Sequence, residues 1–422
     1  MSHGSVKFSR RAALAAFPAV SLTRGDSEEQ LDSPNSKPDT QSSTPPVMGN
    51  LFETLGTYMR QTSPSYAYDP ARWPNLQAWK REARLKCLEH LAYHPPAAPF
   101  NAEIRSKRKR NGYVQEELVF YSSPGVQVPA SLLIPQGPAK KYPALVALHD
   151  HGGYFYSGRE KLLERDKSPA VLDEFCQKIY DGVPYAAELA RAGYVVLVID
   201  AFYFGDRRLR ETSVPKNAET RALTAMPSGT DEYIRRYNVW AKENEQATAK
   251  TIFLAGATWP GIIGFDDMRS VDYLLTRPEV DTSRVGCLGL SLGGFRAAYL
   301  AGLHDAIRSS VVTCWMTAYE PMLASYAARH TWMIHAPGLY QDLDLPDVVC
   351  MTAPNHLLVQ YGRQDTLFPN DGKQLAANKI KHTYDSAGVA ANCRHIFYDK
   401  PHMFSKQMQH DALEWFGKTL GA

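Results

Sequence analysis

Gly289-Leu290-Ser291-Leu292-Gly293 follows an apolar run that starts at Val285, and a second apolar run with helical spacing comes after it. This pattern is typical of a nucleophile elbow, a sharp turn from a buried strand into a helix that exposes the serine hydroxyl at the carboxyl edge of a sheet. Glycine stands on either side of the serine because a Cβ there would clash in so tight a turn. The stretch therefore predicts Ser291 as a nucleophile; the alternative is an ordinary glycine turn.

The partners that such a serine needs occur later in the chain. A serine hydroxyl is a weak nucleophile, so it requires a base that takes its proton and an acid that orients the base. Asp365 follows a strand-like segment at 357–361, and His402 lies in the loop between the last predicted strand and the last predicted helix. Serine, aspartate, histidine is the chain order expected after an elbow of this kind. We predict Ser291, Asp365 and His402 as a catalytic triad.

Other acids and histidines compete for these roles. Asp200 and Asp206 lie near a strand end, but both precede Ser291 and so have the wrong order in the chain. His395 stands at the start of a strand rather than after it, and His382 is the other rival base. An aspartate in a turn can also be an ordinary cap. Chain order and loop position favour the triad given above.

The segment His149-Asp150-His151-Gly152-Gly153 follows a predicted strand and is the candidate for an oxyanion hole. Its glycines let backbone N–H groups turn towards the negative charge of a tetrahedral intermediate. We expect one donor to be the N–H of Leu292, the residue after the nucleophile, and the second to come from His151 or its neighbour Gly152. Two histidines beside an aspartate could also ligate zinc. No third ligand cluster lies nearby in the sequence, so we expect neither a metal nor a cofactor.

Strand and helix signals alternate along most of the chain after residue 100. The pair Asn111-Gly112, between strand-like segments at 102–110 and 113–121, predicts a hairpin, and another strand is predicted at 126–134. Apolar strands then alternate with helices, which predicts an α/β fold: a doubly wound, mostly parallel sheet entered through antiparallel strands. Besides the elbow strand, the later predicted strands cover 142–148, 194–199, 309–314, 357–361 and 395–398, and the predicted helices cover 184–192, 265–276 and 404–420.

Two long segments do not fit this alternation. Residues 207–260 and 317–346 are polar and aromatic, and they follow sheet strands, so they would overhang the carboxyl ends of the strands as substrate-selecting walls. We interpret 207–260 as a cap-like insertion in a main domain at 101–422. An amphipathic helix is predicted near 76–91, within an N-terminal helical extension at 51–100.

The amino end resembles a twin-arginine export signal. Arg10 and Arg11 precede a short apolar run, so residues 1–22 are interpreted as the signal and the protein as exported, periplasmic or extracellular. The alternative is a disordered basic tail on a cytoplasmic protein. Residues 23–50 are rich in Ser, Pro and charged side chains, which predicts a linker that cannot bury enough apolar surface to fold.

Composition argues against several classes of protein. A net charge of +3 over 422 residues is too small to indicate a nucleic-acid partner. No apolar run approaches the ~18 residues that a membrane-spanning helix needs. The six cysteines contain no CxxC pair, so they indicate neither a disulfide framework nor a zinc ribbon.

Four motifs spread over the chain carry a family resemblance. They are Leu148-His149-Asp150-His151-Gly152-Gly153, the segment 185–197, Asp200-Ala201-Phe202-Tyr203-Phe204-Gly205-Asp206, and the run from Asp267 through the elbow at 289–294. Together, over roughly residues 75–420, they resemble the bacterial acetyl xylan esterase and dienelactone-hydrolase-like branch of the α/β-hydrolases. The resemblance implies the same triad and a small-molecule or carbohydrate ester as substrate, acetylated plant polysaccharide or related sugars among them. One departure is the nucleophile: dienelactone hydrolases proper use cysteine, whereas this chain has Ser291.

The sequence thus predicts a metal-independent serine esterase for short acyl groups such as acetyl. A prolyl-oligopeptidase-like peptidase and an acyltransferase would share the triad, and a catalytically silent binding protein is a third alternative. Aromatic residues near strand ends are candidate pocket walls, although each also fits an ordinary core position. They are Tyr154, Phe155, Phe202, Tyr203, Phe204 and Trp315.

Overall fold

The computed structural model of the protein describes residues 46–421, so the interpretation of 1–22 as an export signal, and of most of 23–50 as a linker, lies outside the described residues. Within the described range, no helix is both long and apolar enough to cross a bilayer.

The strands are β1 (Glu103–Arg110), β2 (Tyr113–Ser123), β3 (Val126–Pro135), β4 (Tyr142–Leu148), β5 (Val195–Ile199), β6 (Val280–Leu290), β7 (Ile307–Thr313), β8 (His356–Gly362) and β9 (Cys393–Tyr398). The helices are α1 (Phe52–Gln61), α2 (Leu76–Leu91), α3 (Ala170–Tyr180), α4 (Tyr185–Arg191), α5 (Ala218–Thr224), α6 (Asp231–Leu254), α7 (Trp259–Leu275), α8 (Leu292–Leu303), α9 (Tyr319–Leu323), α10 (Leu339–Asp342), α11 (Leu345–Cys350), α12 (Asn370–Ser386) and α13 (Lys406–Thr419).

A single nine-stranded sheet contains these strands in the order β1-β2-β3-β5-β4-β6-β7-β8-β9. The pairs β1–β2, β2–β3 and β3–β5 are antiparallel. Every pair from β5 through β4 and β6 to β9 is parallel. The predicted α/β fold, a mostly parallel sheet entered through antiparallel strands, is therefore confirmed.

Helices cover both faces of the sheet, and the central strands show why. Along β4, Val146 and Leu148 belong to one hydrophobic cluster, whereas Leu145 and Ala147 belong to the other. Successive side chains of a strand point to opposite faces, so a continuous apolar run signals a strand that is buried on both sides. The first cluster is completed by α2, α6, α7, α8, α11 and α12, and the second by α4 and α13.

The segment interpreted as an insertion, 207–260, is largely helical. It contains α5, the 24-residue α6 and the start of α7. Helix α7 begins at Trp259, six residues before the predicted start, because the Thr258 hydroxyl accepts the Gly261 N–H at 3.0 Å. Pro260 fits the first turn, where its missing N–H would have had no partner in the helix.

Candidate active site

Ser291 lies at the turn between β6 and α8 in a backbone conformation that side-chain-bearing residues rarely adopt. Its φ is 59° and its ψ is −120°, and its N–H donates to the Thr313 carbonyl at 2.9 Å. A Cβ on Gly293 would lie 2.0 Å from the Leu148 carbonyl oxygen, and one on Gly289 would lie 2.4 Å from that of Gly293. The flanking glycines are therefore required by the close approach of α8 to β4 and β6, and the turn holds Ser291 under strain.

Asp365 and His402 meet in the loops that follow β8 and β9. His402 Nδ1 lies 2.7 Å from Asp365 Oδ2, and the second carboxylate oxygen accepts the Leu367 N–H at 2.9 Å. The Asp365 side chain is 1% exposed and that of His402 is 19% exposed. An ionised carboxylate only accepts hydrogen bonds, so the ring donates through Nδ1 and keeps Nε2 free to accept. The imidazole is thus held in the tautomer that a general base requires.

A buried lysine supports the turn that carries Asp365. Lys373 Nζ donates to the carbonyl oxygens of Gly362 and Asp365, both at 2.9 Å, and to Asn370 Oδ1 at 3.0 Å. Burial lowers the pKa of Lys373, while the nearby Asp365 carboxylate acts in the opposite direction. Nothing in the local sequence distinguishes this lysine from a solvated helix residue.

The loop after β4 turns back beside the N-terminus of α8. Gly152 and Gly153 have φ values of 52° and 69°, and a Cβ on Gly152 would lie 2.4 Å from the Phe175 ring. Lys161 Nζ donates to the carbonyl oxygens of Asp150 at 3.0 Å and His151 at 3.1 Å. With its carbonyl groups tied down in this way, the loop can present N–H groups in a fixed direction.

The two histidines of this loop have their ring nitrogens engaged by the protein. His149 Nδ1 donates to the Asp150 carbonyl at 2.8 Å, and its Nε2 accepts the Ala201 N–H at 3.1 Å. Burial, followed by the charge of Arg296, lowers the pKa of His149 well below its ordinary value, so its ring is neutral. This histidine joins the ends of β4 and β5.

His151 makes a contact to the insertion that sequence reasoning missed. Its Nδ1 accepts the Gly153 N–H at 3.0 Å, so its Nε2 carries the proton and donates to Glu245 Oε1 at 2.7 Å. The other oxygen of Glu245, which lies on α6, accepts the Thr331 hydroxyl at 2.9 Å. Glu245 is 94 residues from His151, and a glutamate in an amphipathic helix carries no local sign of such a role.

The six aromatic residues selected as pocket walls lie at different depths. Phe155 and Phe204 are fully buried and stack on each other. Tyr154 is buried and packs against Phe175, and Tyr203 is buried with its hydroxyl donating to the Ala241 carbonyl at 2.9 Å. Phe202 is half-buried beside Trp259. Buried Trp315 is separated from His402 by one ring, that of Phe368, whose centroid lies 5.6 Å from that of Trp315 and 6.2 Å from that of His402.

One group of side chains among the described residues could hold a metal ion by geometry. The ligand atoms of Cys314, Asp365 and His402 lie within 4.8 Å of one another. Burial, together with the Asp365 charge, raises the pKa of the Cys314 thiol to about 12. A metal binds the thiolate, so the protonated thiol and the bond between His402 and Asp365 both oppose such a site.

Two of the rival residues, His395 and Asp200, take part in other interactions. His395 lies within β9, where its Nδ1 is 3.3 Å from the Tyr361 hydroxyl, and burial lowers its pKa to about 4. Asp200 is fully buried and pairs with the Arg159 guanidinium. Neither contacts the pair formed by Asp365 and His402.

An elbow serine at the end of β6, an aspartate after β8 and a histidine after β9 are the arrangement expected of an α/β-hydrolase. The family model described as the dienelactone hydrolase family matches residues 181–416, which is more than half of the chain. A second model, described as an abhydrolase family, matches residues 51–221. The protein belongs to the dienelactone hydrolase family and is a carboxylic ester hydrolase, as the sequence resemblance predicted.

Individual relatives agree with this assignment. YtaP of Bacillus subtilis (strain 168), which is named as a hydrolase, is 24% identical over 345 residues, covering 81% of this chain and all of YtaP. A Bacteroides fragilis structure described as an acetyl xylan esterase is 18% identical with a TM-score of 0.62, covering 82% of each chain. A glucuronoyl esterase from Solibacter usitatus is 13% identical with a TM-score of 0.57, covering 84% of this chain and 97% of its own. At these identities the two structures establish the fold.

Proposed function

We propose that the protein hydrolyses short-chain carboxylic esters of carbohydrates, acetyl esters above all, with Ser291, His402 and Asp365 as its catalytic triad. The observation that carries the proposal is the 2.7 Å contact between His402 Nδ1 and Asp365 Oδ2, at the same sheet edge as the strained turn that holds Ser291. This pairing leaves the ring with one free nitrogen, which is the group that must take the serine proton.

In the proposed reaction, His402 Nε2 removes the proton from Ser291 Oγ as that oxygen attacks the ester carbonyl. The tetrahedral oxyanion receives hydrogen bonds from the N–H of Leu292, which as the first residue of α8 has no partner within the helix, and from that of His151 or Gly152. The C–O bond to the alcohol then breaks, and His402 gives its proton to the leaving oxygen. Water, deprotonated by the same ring, releases the acid and restores the serine.

The substrate class rests on likeness rather than on geometry. The motifs of this chain resemble acetyl xylan esterases, and a structure described as an acetyl xylan esterase shares its fold. Ser291 stands where dienelactone hydrolases proper use cysteine, so an acyl-enzyme made with serine is proposed instead of dienelactone hydrolysis. These points favour acetylated carbohydrate as the natural substrate.

Truncating the nucleophile tests the proposal. Ser291→Ala should lower kcat for p-nitrophenyl acetate on the order of 10⁴-fold or more, because the remaining groups cannot form an acyl-enzyme. Acetate should be the fastest acyl group in a series of increasing chain length. Ser283→Ala, an exposed serine on the same strand, β6, is the matched control and should keep full activity. Retained turnover in the Ser291 variant would show that another group is the nucleophile.

A further inference from the structure

The segment from Arg329 to Trp332 crosses between the two sides of the candidate active site. Arg329 Nη1 donates to the Thr366 carbonyl at 2.7 Å, and His330 Nε2 donates to the Leu367 carbonyl at 3.0 Å. These carbonyls belong to the two residues after Asp365. On the other side, the Thr331 hydroxyl donates to Glu245, whose carboxylate holds His151. The segment is therefore anchored on one side to the turn that follows Asp365. On the other side it is anchored to Glu245, which holds the loop that contains His151.

Trp332 follows directly on these anchors and differs from the other tryptophans. Of the seven in the chain, all of which lie in the described range, only Trp332 is exposed, with 38% of its surface accessible. The Thr331 hydroxyl also accepts the Met333 N–H at 3.2 Å, and Met333 and Ile334 are buried. The backbone that carries the indole is thus held on both sides, while the ring itself reaches solvent.

The surroundings of the ring leave it unstacked. The Phe253 centroid lies 6.5 Å away at an interplanar angle of 68°, and that of His335 lies 6.3 Å away at 73°. Single exposed apolar side chains are common on protein surfaces and need no explanation by themselves. What distinguishes Trp332 is its place on a segment bonded to both sides of the proposed catalytic centre.

We propose that Trp332 is a carbohydrate subsite, on which a sugar ring next to the esterified one stacks. The face of an indole carries a partial negative charge and attracts the weakly positive C–H groups of a pyranose ring. A tryptophan has only two side-chain torsions to immobilise, so it gives a large contact area at a low entropic cost. The inference rests on the proposed function, since it assumes that the ester cleaved at Ser291 is part of an oligosaccharide.

Comparing two substrates separates this role from catalysis. Trp332→Ala should lower kcat/KM for acetylated xylotriose about tenfold, mainly through KM, because one aromatic stacking contact is lost. The same variant should hydrolyse p-nitrophenyl acetate within about twofold of the wild-type rate, because that ester is too small to reach the ring. Trp332→Phe keeps an aromatic face and should recover most of the loss.

Leu254→Ala is the matched control. Leu254 is 90% exposed and adjoins Phe253 on α6, so its truncation removes apolar surface nearby without removing an aromatic ring. Leu254→Ala should leave kcat/KM unchanged for both acetylated xylotriose and p-nitrophenyl acetate. Equal losses on both substrates for Trp332→Ala, or no loss on the oligosaccharide, would overturn the subsite.

Binding to the inactive chain keeps the two proposals separate. Acetylated xylotriose, titrated calorimetrically into Ser291→Ala, should bind more weakly by about tenfold when Trp332→Ala is added. A wild-type protein that hydrolyses p-nitrophenyl acetate but neither binds nor cleaves acetylated xylotriose would refute the subsite and leave the triad standing. A protein that binds the sugar but retains ester turnover without Ser291 would refute the triad alone.

Discussion

Asp365 is the residue whose contacts fix the orientation and the tautomer of His402. Its two carboxylate oxygens accept one hydrogen bond from His402 and one from the Leu367 N–H. Asp365→Asn would replace an acceptor by an amide, which can donate to Nδ1 and so favour the tautomer with its proton on Nε2. We expect kcat for p-nitrophenyl acetate to fall between about 10²- and 10⁴-fold with little change in KM, as steady-state kinetics would show.

Asp371→Asn is the matched control for Asp365→Asn. Asp371 is exposed in the first turn of α12, six residues further on, and accepts only the Gly372 N–H, at 2.8 Å. The same chemical change there should leave kcat unaltered. If Asp365→Asn kept more than about a third of the wild-type kcat, a different acid would have to orient His402.

At the scale of elements, α6 supports the loop proposed to bind the oxyanion. Glu245 is buried on the inner face of this helix and joins His151 to Thr331. Glu245→Ala would leave the His151 Nε2–H and the Thr331 hydroxyl without their acceptor, so the loop could move. We expect a loss of kcat up to that of one oxyanion donor, about 10²-fold, measured with p-nitrophenyl acetate alongside the melting temperature.

Two variants show whether this effect is specific to the carboxylate. Glu245→Gln keeps an acceptor for His151 and should retain most of the activity. Glu243→Ala removes an exposed acid two residues away on the same helix and should have no effect. A Glu245→Ala enzyme with a normal kcat but a lowered melting temperature would mean that α6 stabilises the fold without positioning the loop.

The raised pKa values of the buried thiols predict that the whole molecule loses stability at alkaline pH. Burial raises the pKa of Cys87, Cys314 and Cys350 to about 12. Above about pH 9 the unfolded chain therefore releases thiol protons that the folded chain retains. The unfolded state then binds fewer protons, so the free energy of unfolding falls as pH rises, by about 1.4 kcal/mol per pH unit for each such thiol. Burial also lowers the pKa of Lys80 (to about 8), Lys161 and Lys373, which opposes this slope. These three groups are outnumbered, because burial raises the pKa of all six thiols of the chain.

Urea unfolding in a reducing buffer at pH 8, 9 and 10 would measure this slope. Cys87 has burial as the sole cause of its shift, so Cys87→Ala should make the decline between pH 9 and 10 shallower by about one thiol's share. Leu91→Val, a buried apolar change on the same helix, α2, should lower stability equally at every pH. Identical slopes for Cys87→Ala and the wild type would contradict the assignment.

A structural feature could be predicted from the sequence where its signal lies within a few neighbouring residues. The Asn111-Gly112 hairpin and the apolar runs of the central strands were recognisable because turn chemistry and periodicity act over a few residues. Asp365 and His402 could be selected as candidate partners because the carboxyl ends of parallel strands share one sheet edge. In the structure their side chains lie in contact. Helix α6 was not recognised, since a polar and aromatic segment shows its apolar face only against the partner that covers it.

Sequence patterns were sufficient to predict the α/β fold, the elbow around Ser291 and the chain order of the candidate triad, because these follow from local sterics, hydrophobic period and strand direction. The folded chain was needed to reveal three features: the contact of His151 with Glu245, the support of Asp365 by Lys373 and the exposure of Trp332. The physical reason is that burial and charge pairing depend on residues far apart in the chain, and a linear pattern carries no record of which side chains meet.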